Sequence, residues 1–380
     1  MLGLVSLFMD ASSELIHSLL PVFMVAGLGA SALMVGVVEG VAEATALVVR
    51  VFSGTLSDWL GKRKGLTVLG YGLGAISKPL FALALTVQWV LIARFLDRIG
   101  KGIRGAPRDA LIADLTPPEI RGAAYGLRQA LDTAGAFFGP LAAIALMLAF
   151  AGDFRAVFWF AAIPAALSVL LLVLGVREPA AAEPGRRLAS PLRWAMLREL
   201  RGAYWWVVAV GAVFTLARFS EAFLILRAQQ TGLADAYAPL VLVIMNVVYA
   251  ISAYPAGRLA DRMSHGKLLA AGLAVLVLSD IVLAQAQALA AVFAGVLLWG
   301  LHMGMTQGLL ATMVAGTAPA HLRGTAFGFF NLASGVAMLI ASVLAGLLWD
   351  TLGAQATFYA GAAFSAAALL MLGPRVRPRT

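Results

Sequence analysis

The 380-residue chain is 61% hydrophobic and only 12% charged, with a mean hydropathy of +0.90 and a formal net charge of +9. A soluble domain is roughly a quarter charged, so this much apolar surface cannot be hidden in one core and lipid must be its solvent. The absence of cysteine excludes disulfides and thiolate metal centres.

A helix needs about 20 apolar residues to cross a bilayer. In chain order the apolar runs predict twelve spans: 3–26, 33–54, 67–86, 88–107, 122–149, 156–176, 204–228, 236–256, 268–288, 290–314, 322–348 and 354–373. Asp10 and Glu14 interrupt the first run and no basic residue precedes it, so a cleaved leader is not expected. The one long connection, 177–203, is rich in Pro, Ala and Arg. It is predicted to be a cytoplasmic linker between an N-terminal six-helix bundle, 1–176, and a C-terminal one, 204–380. Of the 28 Lys and Arg, 20 fall on alternate loops, seven lie in spans, and only Arg155 sits on the opposite set of loops. Short loops with such a bias face the cytoplasm, which places both termini inside. The same placement explains the basic charge without a nucleic-acid partner.

Gly54, Asp58, Gly61, Lys62 and Arg63 form a short charged hinge between spans 2 and 3. The hinge returns, more loosely, as Gly257, Asp261 and Arg262, and from Asp58 to Asp261 is 203 positions. Arg121-Gly122 followed by Tyr125-Gly126 returns as Arg323-Gly324 and Phe327-Gly328, 202 positions on from Arg121 to Arg323. Two patterns at one offset describe a half-length unit written twice, a common plan for secondary transporters. The hinge resembles the loop motif of the major facilitator superfamily over essentially the whole chain. Trp59 replaces the usual basic residue, and Ser264 stands where the second copy should have its second Gly. The resemblance implies an all-α membrane protein, with twelve transmembrane helices in two pseudo-symmetric six-helix bundles. It also implies that Asp58 faces a helix N-terminus of the second half and latches the cytoplasmic side, a favourable place for an acid.

Ionisable groups at membrane depth are costly and line a cavity or pair with one another. In span 1, Asp10, Glu14 and His17 share a face within about 60°, at roughly 100° per residue. Glu39, Glu43 and Arg50 share a face of span 2. In span 4, Arg94, Asp97 and Arg98 are followed by Lys101, Arg104 and Arg108, which are expected to snorkel toward the cytoplasmic end. Arg128 and Asp132 are spaced for an ion pair in span 5. The second half is poorer: Arg218 and Glu221, Asn246, Asp280, His302 and Asn331. Glu14, His17, Glu43, Asp97, Arg98, Asp132, Arg218, Asn246 and His302 fall near the midplane, where transporter sites usually sit. Asp10 and Glu14, one turn apart in low dielectric, should not both ionise, so one is expected to hold a proton. Glu14, assisted by Asp10, is expected to carry the coupled proton, with Arg94 or Arg98 tuning it; Glu43 and Asp132 are next in line.

Arg94 through Gly102 resembles the family's span-4 motif, with Asp97 and Arg98 departing from it. Gly126, Gly135, Gly139 and Pro140 resemble a span-5 pattern typical of antiporters that export their substrates, although its closing Gly pair is Ala143-Ile144 here. Small residues there should let helices approach closely. The expected function is proton-coupled export of a small organic compound by alternating access, from a bacterial inner membrane, by a monomer that is not an enzyme and needs no cofactor or structural metal. The alternatives are divalent-metal efflux, for which Asp10, Glu14, His17 and His302 supply suitable ligand types, uptake of an anionic molecule by intramembrane Arg, and a sensor that keeps the fold without transport.

Overall fold

The computed structural model describes residues 1–60, 63–178, 199–260, 262–319 and 322–373, leaving out the side chains of Thr55 and Asp58. Of the hinge residues, Gly61, Lys62, Asp261 and the Asp58 side chain therefore lie outside the described residues, as does most of the 177–203 linker. The described residues form twelve helical runs. They are α1 (Leu2–His17, extended by Leu20–Val22 and a π-helical turn Phe23–Gly27), α2 (Ala32–Leu60), α3 (Arg63–Ala82), α4 (Val87–Leu115), α5 (Arg121–Ala149) and α6 (Phe154–Gly175). The second half supplies α7 (Gly202–Ala217, resumed at Ala222–Gln230), α8 (Leu240–Ala260), α9 (His265–Gln285), α10 (Leu289–Thr306, resumed at Leu309–Thr317), α11 (Arg323–Leu352) and α12 (Ala354–Leu372). Among the described residues nine runs are long and apolar enough to cross a membrane. The other three are α1, which breaks after His17, and α3 and α4, which carry buried charges.

The breaks have local causes. Pro21 has no N–H to offer and starts the second piece of α1. In α10, Gly308 takes a left-handed conformation (φ +74) that a side chain would strain, and the helix restarts there. In α7 the helix stops at Ala217, and Arg218 to Glu221 bridge to the second piece.

The chain divides into two compact units, Met1–Gly29 with Val41–Pro191, and Ala30–Gly40 with Leu192–Thr380. In the first, α1 packs on α5 and α6, and α3 on α4 and α6. In the second, α7 packs on α11 and α12, and α9 on α10 and α12. The helix pairs are the same once the repeat is applied. Glycines make both sets of contacts. A Cβ on Gly100 of α4 would stand 2.6 Å from the Gly70 carbonyl oxygen of α3 in the first unit, and one on Gly295 of α10 would stand 2.5 Å from the Leu283 side chain of α9 in the second. With no water to expel between lipid-soluble helices, such close packing and interhelical hydrogen bonds hold the bundle. Ala30–Gly40, the start of α2, belongs to the second unit. There Asp350 caps it, accepting from the Ala32 and Leu33 amides at 3.0 and 2.9 Å, and Gly36 and Gly40 lie against Ser342 and Leu339 of α11.

Candidate functional site

The first unit holds a charged network along α4, built from groups of five helices. Its deepest link joins Lys78 of α3 to Asp97 of α4: Nζ to Oδ1 is 2.8 Å, with both side chains at most 3% exposed. Lys78 also donates to Ser13 of α1 at 3.0 Å, and Ser77 donates to the same Asp97 oxygen at 3.3 Å. Arg98 reaches Asp97 at 3.4 Å and Glu43 of α2 at 3.1 Å, and Arg94 is buried one turn earlier. A buried ion pair stands only when its geometry is good and its remaining hydrogen-bond capacity is used. Here Asp97 is shared among two cations and a hydroxyl, which meets that condition.

Further along α4, Arg104 lies over the Tyr71 ring at 4.9 Å and approaches Asp10 at 3.8 Å. It is 4% exposed. The expectation that it snorkels is thus corrected: α1 and α3 cover this turn of α4, and an acid and an aromatic face replace water around the guanidinium. Arg108 lies 3.9 Å from Asp132 and donates to Asp109 at 3.1 Å and to Ser6 at 3.2 Å. Arg128 pairs with Asp132 at 3.1 Å, one turn along α5 as the spacing indicated.

Asp10 and Asp132 lie on the two helices of the α1–α5 contact, Asp10 approached by Arg104 at 3.8 Å and Asp132 by Arg108 at 3.9 Å. Two of the span-5 glycines create that contact. A Cβ on Gly135 would stand 2.5 Å from the Leu7 carbonyl oxygen and 3.1 Å from the Asp10 Cβ, and one on Gly139 would stand 2.6 Å from the Ala11 carbonyl oxygen. Pro140 is buried beside them, whereas Gly126 has open space around it and makes no such approach. Two neighbouring carboxyls in a low-dielectric site do not both ionise readily. The next turn of α1 holds Glu14, 3.3 Å from Nδ1 of His17.

The hinge residues that are described are tied within their own unit. The Arg63 guanidinium meets Asp114 at 2.6 Å. Glu178 accepts from the Arg63 and Lys64 amides at 2.8 and 3.1 Å, an acid on the N-terminus of α3. Gly54 packs toward Ala106, and Gly257 has open space around it.

In the second unit the candidates do not join a network. His302 is fully buried; its Nδ1 donates to the Gly272 carbonyl at 2.7 Å, which leaves Nε2 as an acceptor. Its ring lies 5.6 Å from that of Phe214, and the Arg218 guanidinium stands over the Phe214 ring at 5.7 Å. Asn246 is half-buried on α8. A groove of about 550 Å³ runs between α7 and α11, lined by apolar residues including Trp205, Leu216, Phe329 and Ile340. The sequence reading passed over Lys78 as a site residue. Its signal was present: a lone Lys well inside an apolar run must have a partner. Among the described residues no group of three or more His, Asp or Glu side chains is arranged to hold a metal ion.

Doubled helix pairing, membrane-length apolar helices and a buried charged network in one unit define a multi-pass membrane protein of the transporter type. The family model for the Major Facilitator Superfamily matches residues 2–226 and 219–380, and the chain belongs to that superfamily of secondary transporters. It is 29% identical over 381 residues to the MFS-type transporter MJ1317 of Methanocaldococcus jannaschii, covering 98% of this chain and 93% of that one. It is 27% identical over 338 residues to the multidrug resistance protein MdtH of Yersinia pestis, covering 85% of this chain and 80% of the relative. Among solved structures, a bacterial homolog of the human lysosomal transporter Spinster matches with a TM-score of 0.76 at 16% identity, over 98% of this chain and 93% of the other. A POT family transporter in complex with 5-aminolevulinic acid matches at 0.81 and 14% identity, over 99% and 96%. At those identities the structures speak for the fold alone.

Proposed function

We propose that the protein exports a small organic compound in exchange for protons, by alternating access of the two repeat halves, 1–176 and 204–380, with both termini in the cytoplasm of a bacterial cell. The observation that carries this reading is the Asp10–Asp132 carboxyl pair. It sits in an intramembrane network in which Asp132 also pairs with Arg128 at 3.1 Å, leaving Asp10 the more weakly paired of the two. Arg104 stands 3.8 Å from Asp10, and Arg108 stands 3.9 Å from Asp132. Either Arg, moving closer as α4 shifts against α1 and α5, favours the doubly ionised pair and releases the shared proton. Moving away restores it. The Glu14–His17 pair one turn on is placed to pass the proton along α1, and Lys78, Asp97, Arg98 and Glu43 hold α2, α3 and α4 in register while it moves.

The family's antiporter-like glycines are the residues that bring Asp10 to Asp132, which links the export pattern to the proton site in one contact. The name of the MdtH relative supports export of drug-like compounds, and the apolar groove between α7 and α11 suits the apolar body of such a molecule. The test is transport by purified protein in proteoliposomes under an imposed pH gradient. A compound for it is first found by thermal shift over a panel of drugs, siderophores and divalent metals, since a ligand stabilises the state that binds it. Asp10→Asn and Asp132→Asn are each expected to abolish gradient-driven transport while leaving the thermal shift by the compound intact. If both keep wild-type gradient dependence, the proton travels elsewhere, with Glu14 and Glu43 the next residues to replace.

A further inference from the structure

In the second unit Asp280 of α9 is fully buried, and neither carboxyl oxygen has a protein hydrogen-bond partner. The repeat makes this position informative. α3 begins at Arg63 and α9 at His265, α4 at Val87 and α10 at Leu289, both 202 positions apart. At that offset Ser77 corresponds to Ser279, Lys78 to Asp280 and Asp97 to Trp299. The first unit fills this slot with a cation and its acid, 2.8 Å apart. The second fills it with an acid and an indole, and has no cation there.

The surroundings are polar groups without partners and aromatic rings. Oδ2 of Asp280 lies where α9 meets α12, so close that a Cβ on Gly361 would stand 2.8 Å from it and 2.9 Å from the Phe219 ring. Ser365, one turn along the same face of α12, is fully buried with its hydroxyl unpartnered, as is Nε1 of Trp299. Phe219 sits in the break of α7 and packs against Trp299 at 5.5 Å and against Phe223 and Phe358 at 5.6 Å. Discontinuous membrane helices mark the ion and substrate sites of many transporters.

Among the described residues, the elements packed around Asp280 offer it no counter-charge. α12 carries no charged residue among Ala354–Leu372, and the second piece of α10 carries none. The first piece of α10 has only His302, engaged with Gly272, eight residues along α9. α8 has Arg258 at its far end, with Tyr249 and Tyr254. On α7, Arg218 stands over Phe214 and has Glu221 as its electrostatic partner, and Arg227 is spent on the carbonyls of Leu283, Ala284 and Ala286. α9 itself offers only His265 and Lys267, at its other end. A bare carboxylate in such a place is costly.

We infer that Asp280 is a second proton-binding site, in the C-terminal half and separate from the Asp10–Asp132 pair, closed to water by Phe219 at the break of α7. With Phe219 packed in, the carboxyl keeps its proton. When the break swings open and water enters, the proton leaves, so loss of the proton and opening of α7 are one equilibrium. The sign follows: raising the pH favours the open break. One proton released per opening makes the open-to-closed ratio rise by about tenfold per pH unit while the closed form is protonated.

Two measurements on the full chain in lipid test this, and neither needs a substrate. In the first, infrared difference spectra compare wild type with Asp280→Asn at neutral pH. The variant is expected to lose a carboxylic-acid carbonyl band and no carboxylate band, and Phe219→Ala, with Asp280 kept, is expected to turn that acid band into a carboxylate band. Loss of a carboxylate band in Asp280→Asn, or an acid band unmoved by Phe219→Ala, overturns the site. The second uses the lack of native cysteine. A single Ser220→Cys in the break is labelled with a maleimide over a range of pH, its rate corrected for thiolate content. The corrected rate is expected to rise by about tenfold per pH unit and to lose that dependence when Asp280→Asn is added; a rate independent of pH in both overturns the gating. The site rests on the transporter reading only for its use. If Asp10→Asn and Asp132→Asn leave gradient-driven transport intact while the Asp280 band behaves as described, the proton-carrier reading fails and this site stands.

Discussion

The two units share their helix pairing and differ in what they bury. In the first, α3 and α4 are joined by Lys78–Asp97 and by Arg98 reaching on to Glu43 of α2. In the second, the corresponding helices α9 and α10 meet through apolar side chains and two uncharged hydrogen bonds, Ser279 to the Gly295 carbonyl at 2.8 Å and His302 to the Gly272 carbonyl at 2.7 Å. α4 also runs unbroken from Val87 to Leu115, whereas α10 breaks at Gly308. The shared pairing teaches that close backbone contact at small residues is enough to build this bundle. The difference shows that the buried ion pairs of the first unit are not required for that pairing.

The comparison breaks most visibly at the shared slot. Lys78→Met strands Asp97 with fewer partners in a buried site and is expected to cost about 3–5 kcal/mol. Asp280→Asn, at the matching position, removes an unpartnered acid, and thermal unfolding in detergent should show it near neutral or stabilising. Equal and large losses in the two variants would mean that Asp280 is held by a partner as firmly as Lys78 is.

A second contrast lies within one helix. Gly135→Val drives a branched side chain into the α1 backbone and is expected to cost about 1–3 kcal/mol by overpacking, along with gradient-driven transport, because Asp10 is pushed from Asp132. Gly126→Val meets open space, so its unfolding temperature should stay near wild type. A destabilised Gly126→Val would show that the whole four-residue pattern, not just Gly135 and Gly139, is a contact surface.

These contrasts mark how far the sequence could be read. All twelve spans were legible as apolar runs, although among the described residues only nine helices are apolar enough to stand out by hydropathy; charges or breaks lower that signal in the other three. Pairs on one helix were legible from spacing, as Arg128–Asp132 and Glu14–His17 show. Pairs between helices were not. Nothing along α1 announces that Asp10 meets Asp132, and nothing in α2 says that Glu43 turns to Arg98 of α4. Spacing fixes a face, but the partner across that face depends on how two helices rotate against each other. The assignment of Ala30–Gly40 to the second unit escaped for the same reason, since its cap is Asp350, over 300 residues away.

The smallest expected effect sharpens the claim that the fold itself is held alike in both units. In the first, the Ser168 hydroxyl of α6 donates to the Val5 carbonyl of α1 at 2.7 Å. In the second, the Thr357 hydroxyl of α12 donates to the Ala345 carbonyl of α11 at 2.8 Å. Both donors are buried, and both acceptors lie within helices, where a carbonyl can also accept its own helical amide. Removing either hydroxyl therefore leaves no buried acceptor stranded, which is the costly outcome. Ser168→Ala and Thr357→Val should each lose only about 0.6 kcal/mol, the usual worth of an interhelical hydrogen bond in a membrane protein. Neither should change gradient-driven transport, because neither touches a charged group. If Ser168→Ala proves several times costlier than Thr357→Val, the charged unit leans on its neutral hydrogen bonds as well. The burial of its ions would then have weakened the packing that the two copies otherwise share.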